Sequence, residues 1–210
     1  KQSTHTTDDY RRKASWRNDF KKGNMAIFKR IGILGSGQVG AEIAQKMAQA
    51  GFQVVLVDVK PDIIEQSFET IRKNLNEASQ KQALPTTVEE ILSNIHITTN
   101  PSELKSVEFL IEAVTESLDA KVTALRHVAD ICLRNIVFGT STTTARVGTI
   151  AAAISQTERT VGLHFFSRNT NTPFVEIVRT KEVTDETIAM CTSLMRSLGF
   201  AFAVVEDSPG

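Results

Sequence analysis

Apolar residues along the chain follow two periodicities. Short, mainly apolar runs at 31–34, 54–57, 107–114, 135–138, 160–164, 174–178 and 200–205, with an alternating run at 95–98, predict strands. Between them apolar positions recur at helical spacing: Val39, Ile43, Met47 and Ala50, then Ile63, Ile64, Phe68, Ile71 and Leu75, then Leu118, Val122, Leu125, Val128 and Cys132. Pro61 suits a first helical turn, so the second stripe predicts a long helix from 61 to about 84, followed after Pro85 by a short one at 86–92. Further helices are predicted at 116–133, 146–154 and 184–198, the last ended by Gly199, and Pro101 opens a turn or helix start at 101–104. Strands alternating with helices predict an α/β fold: a doubly wound, mostly parallel sheet with helices on both faces, whose last strands can pair antiparallel.

The first strand breaks into Gly35-Ser36-Gly37-Gln38-Val39-Gly40, and a helix follows at once. Gly35 permits a tight turn, Gly37 lets the backbone approach a pyrophosphate, and Gly40 lets the helix lie close on the sheet. The free N–H groups and dipole of the new helix would face the phosphates. A glycine turn holding no ligand is the plainer alternative, but three context conditions are met: a preceding strand, a following helix, and Asp58 ending the second strand. The motif therefore predicts a Rossmann-type dinucleotide site. Asp58 can accept from both ribose hydroxyls while its charge repels a 2′-phosphate, which favours NAD over NADP, although Lys60 stands close by.

Charge narrows the picture. The chain of 210 residues balances 24 basic against 24 acidic side chains. Residues 1–24 hold seven Lys or Arg against three Asp, so residues 25–210 carry 17 basic against 21 acidic side chains. A net-acidic body argues against nucleic acid as the partner. The basic stretch 1–24 lacks apolar periodicity and precedes Met25, and is expected to be a tag, linker or disordered leader, with a targeting presequence as the alternative. No apolar run approaches the roughly 20 residues of a membrane helix, so no membrane association is expected. Cys132 and Cys191 sit in helical patterns without metal-ligand spacing and are expected to be reduced core thiols, which suits the cytoplasm or a mitochondrial matrix. No metal site is expected.

In an open α/β sheet, ligands lie beyond the carboxyl ends of the strands. There the chain places Glu116, Thr143, His164 and Glu176, with five successive hydroxyl residues at 140–144. The plainer reading of that run is a polar turn with helix caps. Oxidation of an alcohol needs a hydride acceptor and a base, and a histidine whose far ring nitrogen bonds a carboxylate suits the second role. His164 and Glu176 fall on adjacent predicted strands, so the pair is a candidate; a satisfied core histidine is the alternative. His96 and His127 are expected to carry no chemistry.

Together with the glycine loop, the segments IEAVTESL at 111–118, STTT at 141–144, GLHFF at 162–166, VEIV at 175–178 and DSPG at 207–210 resemble the NAD-binding domain of the L-3-hydroxyacyl-CoA dehydrogenases, in the family order. The resemblance implies residues 25–206 as the NAD-binding domain, His164 as the base, Glu176 as its partner and Thr143 at the position of a substrate-bonding serine hydroxyl. It further implies Glu116 and Lys121 at cofactor-contacting positions, beside Gly35, Gly37, Gln38, Val39, Gly40 and Asp58. The long helix after Asp58, with Lys73 and Lys81, would correspond to an arm that helps bind CoA, and Lys81 is the candidate there. The implied reaction is NAD-dependent oxidation of an L-3-hydroxyacyl-CoA to the 3-oxoacyl-CoA. The chain departs from the family at Ser141, Thr143, Ser167 and Arg168, which keeps open a sugar-acid or diketone reductase of the same superfamily, or a non-catalytic NAD(H)-binding module. The family's helical C-terminal domain, which closes the cleft and forms the homodimer, is expected to be absent, with 207–210 starting a linker toward it.

Overall fold

The computed structural model describes residues 28–81, 84–132, 135–166 and 173–208. The expected leader, Ser167, Arg168, Pro209 and Gly210 lie outside the described residues.

The strands are β1 (Arg30–Leu34), β2 (Gln53–Val57), β3 (Ile95–Thr98), β4 (Phe109–Glu112), β5 (Val137–Thr140), β6 (Thr160–Phe166), β7 (Phe174–Arg179) and β8 (Ala201–Glu206). The helices are α1 (Gln38–Gln49), α2 (Pro61–Lys81), α3 (Val88–Ser93), α4 (Leu118–Ala129), α5 (Val147–Ala153) and α6 (Asp185–Ser197), with 3-10 turns at Pro101–Ser106 and Thr157–Arg159. All eight strands among the described residues join one sheet in the order β3-β2-β1-β4-β5-β6-β7-β8. Every neighbouring pair is parallel except β6 with β7. Only seven residues separate β6 from β7, too few for a crossover, so the two pair antiparallel, whereas α6 gives β8 the crossover that a parallel partner requires.

Among the boundaries that differ from the sequence pattern, three show pairing or capping overriding local hydrophobicity. The strand expected from 107 starts at Phe109, since the Val107 N–H closes the preceding turn onto the Leu104 carbonyl. The strand expected to stop at 138 runs to Thr140, because Gly139 and Thr140 align with Ile111 and Glu112. The helix expected from 116 starts at Leu118, because Ser117 caps it by accepting from the Ala120 N–H.

Strand side chains alternate between two cores. Ile31, Ile33, Phe109, Ile111, Val161 and Leu163 pack in one cluster with residues of α1, α2, α3 and α6. Leu34, Leu110 and Phe138 pack in the other with Leu125 and Val128 of α4 and Ile150 of α5. By the same alternation Glu112, after Ile111, and His164, after Leu163, both point to the α4–α5 face.

The strand order reverses between β1 and β4, and both carboxyl ends open there. Gly35 adopts φ +101°, and a Cβ on it would lie 2.6 Å from the Ala113 carbonyl oxygen. A Cβ on Gly40 would stand 1.9 Å from the Gly35 carbonyl oxygen, so α1 reaches the sheet only as glycine. Gly40→Ala is accordingly expected to lower unfolding free energy by about 2 kcal/mol or more. Urea unfolding of the variant measures this, and unchanged stability would mean that α1 does not need its close approach.

Candidate active site

The glycine loop has the shape of a phosphate cradle. A Cβ on Gly37 would meet nothing within 4 Å, which is the open space a ligand needs. Gly37 is the N-cap of α1, no side chain caps the helix, and no acidic residue lies in its first turn. The positive end of α1 at Gln38, Val39 and Gly40 is thus left for an anion. Asp58 is oriented by three donors: its Oδ2 accepts from the Ser36 N–H at 2.8 Å and the Ser36 hydroxyl at 3.0 Å, and its Oδ1 from the Lys60 N–H at 3.1 Å. Ser67 on α2 donates to the Ser36 carbonyl at 2.5 Å, which ties the long helix to the loop.

Beyond β4 lies a buried ionic network. Glu112 is 0% and Lys121 1% exposed. The Lys121 Nζ lies 2.9 Å from Glu112 Oε1, 3.2 Å from Glu116 Oε2 and 3.3 Å from the Val114 carbonyl oxygen, which accounts for its three hydrogens. Glu112 also accepts from the Val114 N–H at 2.7 Å and the Thr140 hydroxyl at 2.6 Å. No buried side-chain nitrogen or oxygen among the described residues lacks a partner. Lys121, placed by resemblance at a cofactor-contacting position, thus has its ammonium buried and fully partnered within the protein.

Glu116 gathers the threonine turn. Its Oε1 accepts from the Thr142 hydroxyl at 2.7 Å, the Thr143 N–H at 2.9 Å, the Thr144 N–H at 3.1 Å and the Thr144 hydroxyl at 2.9 Å. Burial of the carboxyl raises its pKa, but the hydrogen bonds from Thr142, Thr143 and Thr144 outweigh burial and hold it at about 2. Thr143 is exposed, and its hydroxyl has no partner among the described residues.

On the same face, antiparallel pairing sets His164 of β6 directly opposite Glu176 of β7. The His164 Nδ1 lies 3.4 Å from Glu176 Oε2, with side chains 13% and 35% exposed. His96 instead pairs with Glu103 at 2.6 Å on the edge strand β3. Burial pushes the Cys132 thiol up to about 11 and Cys191 higher still, and both are free thiols. Lys73 and Lys81 are exposed on α2.

Residue-type reasoning passed over Glu112 and Ser36. Glu112 had a readable signal, a carboxylate in an apolar strand that must find a cation, and Lys121 follows nine residues later. The bonds from Ser36 to Asp58 and from Ser67 to Ser36 have no comparable signal.

A glycine cradle at the switch point of a parallel sheet, with an oriented aspartate ending β2, defines a Rossmann-type dinucleotide-binding domain. The chain matches the family described as 3-hydroxyacyl-CoA dehydrogenase, NAD binding domain, over residues 30–208, and it belongs to that family; its cofactor is NAD. A probable 3-hydroxybutyryl-CoA dehydrogenase of Bacillus subtilis is 29% identical over 183 residues, 87% of this chain and 64% of the relative. The mitochondrial hydroxyacyl-coenzyme A dehydrogenase of Homo sapiens is 29% identical over 191 residues, 88% of this chain and 61% of the relative. The crystal structure of the (S)-3-hydroxybutyryl-CoA dehydrogenase from Ralstonia eutropha superposes with TM-score 0.82 at 31% identity, covering 87% of this chain and 65% of that one. The chain thus spans under two thirds of the length of these relatives.

Two outcomes follow from the network. Lys121→Met leaves the Glu112 carboxylate buried without its cation and is expected to cost about 3–5 kcal/mol in urea unfolding, most of it recovered by adding Glu112→Gln. Glu116 has its pKa lowered from 4.5 to about 2 on folding, so its stabilising contribution is complete above 4.5 and fades as pH falls toward 2. Acid titration of Glu116→Gln should lack that portion of the wild-type loss; parallel curves would show that Glu116 does not hold its charge in the fold.

Proposed function

We propose that the chain carries the NAD-dependent oxidation of L-3-hydroxyacyl-CoA to 3-oxoacyl-CoA, with His164 as the base. The observation that carries this reading is the His164–Glu176 pair, held in register by β6 and β7 on the face that also bears the threonine turn.

NAD held by the glycine cradle and Asp58 would supply the hydride acceptor for C3 of the substrate. His164, with Nδ1 turned to Glu176, presents Nε2 to the substrate hydroxyl and takes its proton. Glu176 fixes the ring tautomer and stabilises the imidazolium that forms. The Thr143 hydroxyl donates to the substrate oxygen, while Glu116 holds the Thr143 N–H and so fixes where that hydroxyl stands. Gly35, Gly37, Gln38, Val39 and Gly40 cradle the pyrophosphate. Asp58 takes the adenosine ribose; about one of its roughly four acceptor positions remains open, so a second ribose hydroxyl displaces the Ser36 hydroxyl. Lys121 acts on the cofactor through Glu116 rather than by contact. Lys81, exposed at the end of α2, is the candidate for the phosphates of CoA.

NADH oxidation by acetoacetyl-CoA tests the reading. The wild type is expected to turn over, His164→Ala to lose at least about 100-fold in kcat, and free acetoacetate to be a poor substitute. Equal rates with and without CoA would favour a reductase of free dicarbonyl compounds. NADH binding without any oxidation would favour a nucleotide-binding module.

A further inference from the structure

The threonine turn is fastened at one end by Glu116; its other end runs through Ala145 and Arg146 into α5 within two residues. The first turn of α5 has no side-chain cap of its own from Arg146. Its leading donors instead reach across the sequence to the segment leaving β8. The Val147 N–H donates to Asp207 Oδ1 at 3.0 Å and the Gly148 N–H to Asp207 Oδ2 at 2.9 Å, a bidentate clamp over about 60 residues. A Cβ on Gly148 would lie 3.2 Å from Asp207 Oδ2, so the glycine gives the carboxylate its approach. Asp207 is itself held: its N–H donates to the Arg179 carbonyl at 3.0 Å, and the Arg146 guanidinium donates to its carbonyl at 3.4 Å.

The clamp lies on the reactive face. A Cβ on Gly162 would come within 2.8 Å of the Val147 side chain, so α5 packs on the face to which Gly162 points. His164, two residues on in β6, points to that same face.

We infer that Asp207 is a positioning residue: by capping α5 from the end of β8 it fixes the far end of the turn that carries Thr143. The assignment rests on the reading of that turn as part of the active site. With Asp207 in place the turn is pinned between two carboxylates, one on each side. Without it, the Val147 and Gly148 donors are released, and the far end of the turn keeps the Ala145 N–H bond to the Thr142 hydroxyl and the packing of Val147 but loses its carboxylate.

Amide hydrogen exchange on the wild type and Asp207→Ala is the test, with Thr184→Ala as control. Thr184 caps α6 by accepting from the Thr187 N–H and belongs to no part of the site. In Asp207→Ala, exchange is expected to quicken by about 5-fold or more, the factor for a lost helix cap, at Val147 and Gly148 and also at Thr143 and Thr144. kcat for acetoacetyl-CoA should fall while KM for NADH stays within about 2-fold, and Thr184→Ala should leave both unchanged. If quickening stops at Val147 and Gly148 and kcat holds, Asp207 is a local cap and the inference fails. Should Asp207→Ala not fold, Asp207→Asn, which keeps one acceptor oxygen, is expected to give the same pattern at smaller size. A wild type that never turns over would sink the proposed reaction, and the exchange pattern at Thr143 and Thr144 would still decide the role of Asp207.

Discussion

The site depends on one cation in a dry place. Glu112 ends the interior strand β4 with no access to water, and a carboxylate there is tolerable only if a full charge meets it. Lys121, one turn into α4, supplies that charge, and its remaining hydrogens go to the Val114 carbonyl and Glu116. The position of Glu116 is therefore not free: it stands where the ammonium of Lys121 holds it. Everything Glu116 collects, namely Thr142, Thr143 and Thr144, inherits that position. A buried ion pair adds little net stability once its desolvation is counted. What it contributes here is placement, since removing either partner strands the other charge.

The same stretch of backbone also bounds the cofactor loop. Gly35 lies so close to the Ala113 carbonyl that no side chain fits between them, and Val114, the next residue, donates its N–H to Glu112. One short segment after β4 thus touches the phosphate cradle on one side and the ionic network on the other. The nucleotide-binding and threonine-bearing halves of the cleft are spaced by covalent chain and one ion pair rather than by a mobile loop.

Much of this could be read from residue order. The glycine loop and Asp58 were legible because their spacing is local, and the His164–Glu176 pair because both strands announced themselves and stand side by side. The exact pairing was not legible, since only register decides that these two residues share a rung. The burial of Lys121 is not written in its own helix; it follows from Glu112, which strand alternation turns toward α4. The late start of β4 and the late stop of β5 escape the hydrophobic pattern for a related reason. Apolar runs record burial, whereas strand ends record where a partner's hydrogen bonds run out. Asp207 was legible only as part of an end motif, because the destination of its carboxylate lies about 60 residues back in the chain.

The threonine run shows how composition overstates chemistry. Five hydroxyl residues at 140–144 suggest a broad polar patch for ligand. Three of those hydroxyls are spent inside the fold: Thr140 on Glu112, and Thr142 and Thr144 on Glu116. The β-branch of threonine restricts χ1, so these three also stiffen the turn in a way serine would not. Ser141 and Thr143 alternate with them and keep hydroxyls without partners among the described residues. Of these two, Thr143 is the exposed one, and its own N–H is bound to Glu116. A run that reads as a wide contact surface thus narrows to one exposed hydroxyl on a rigid mount.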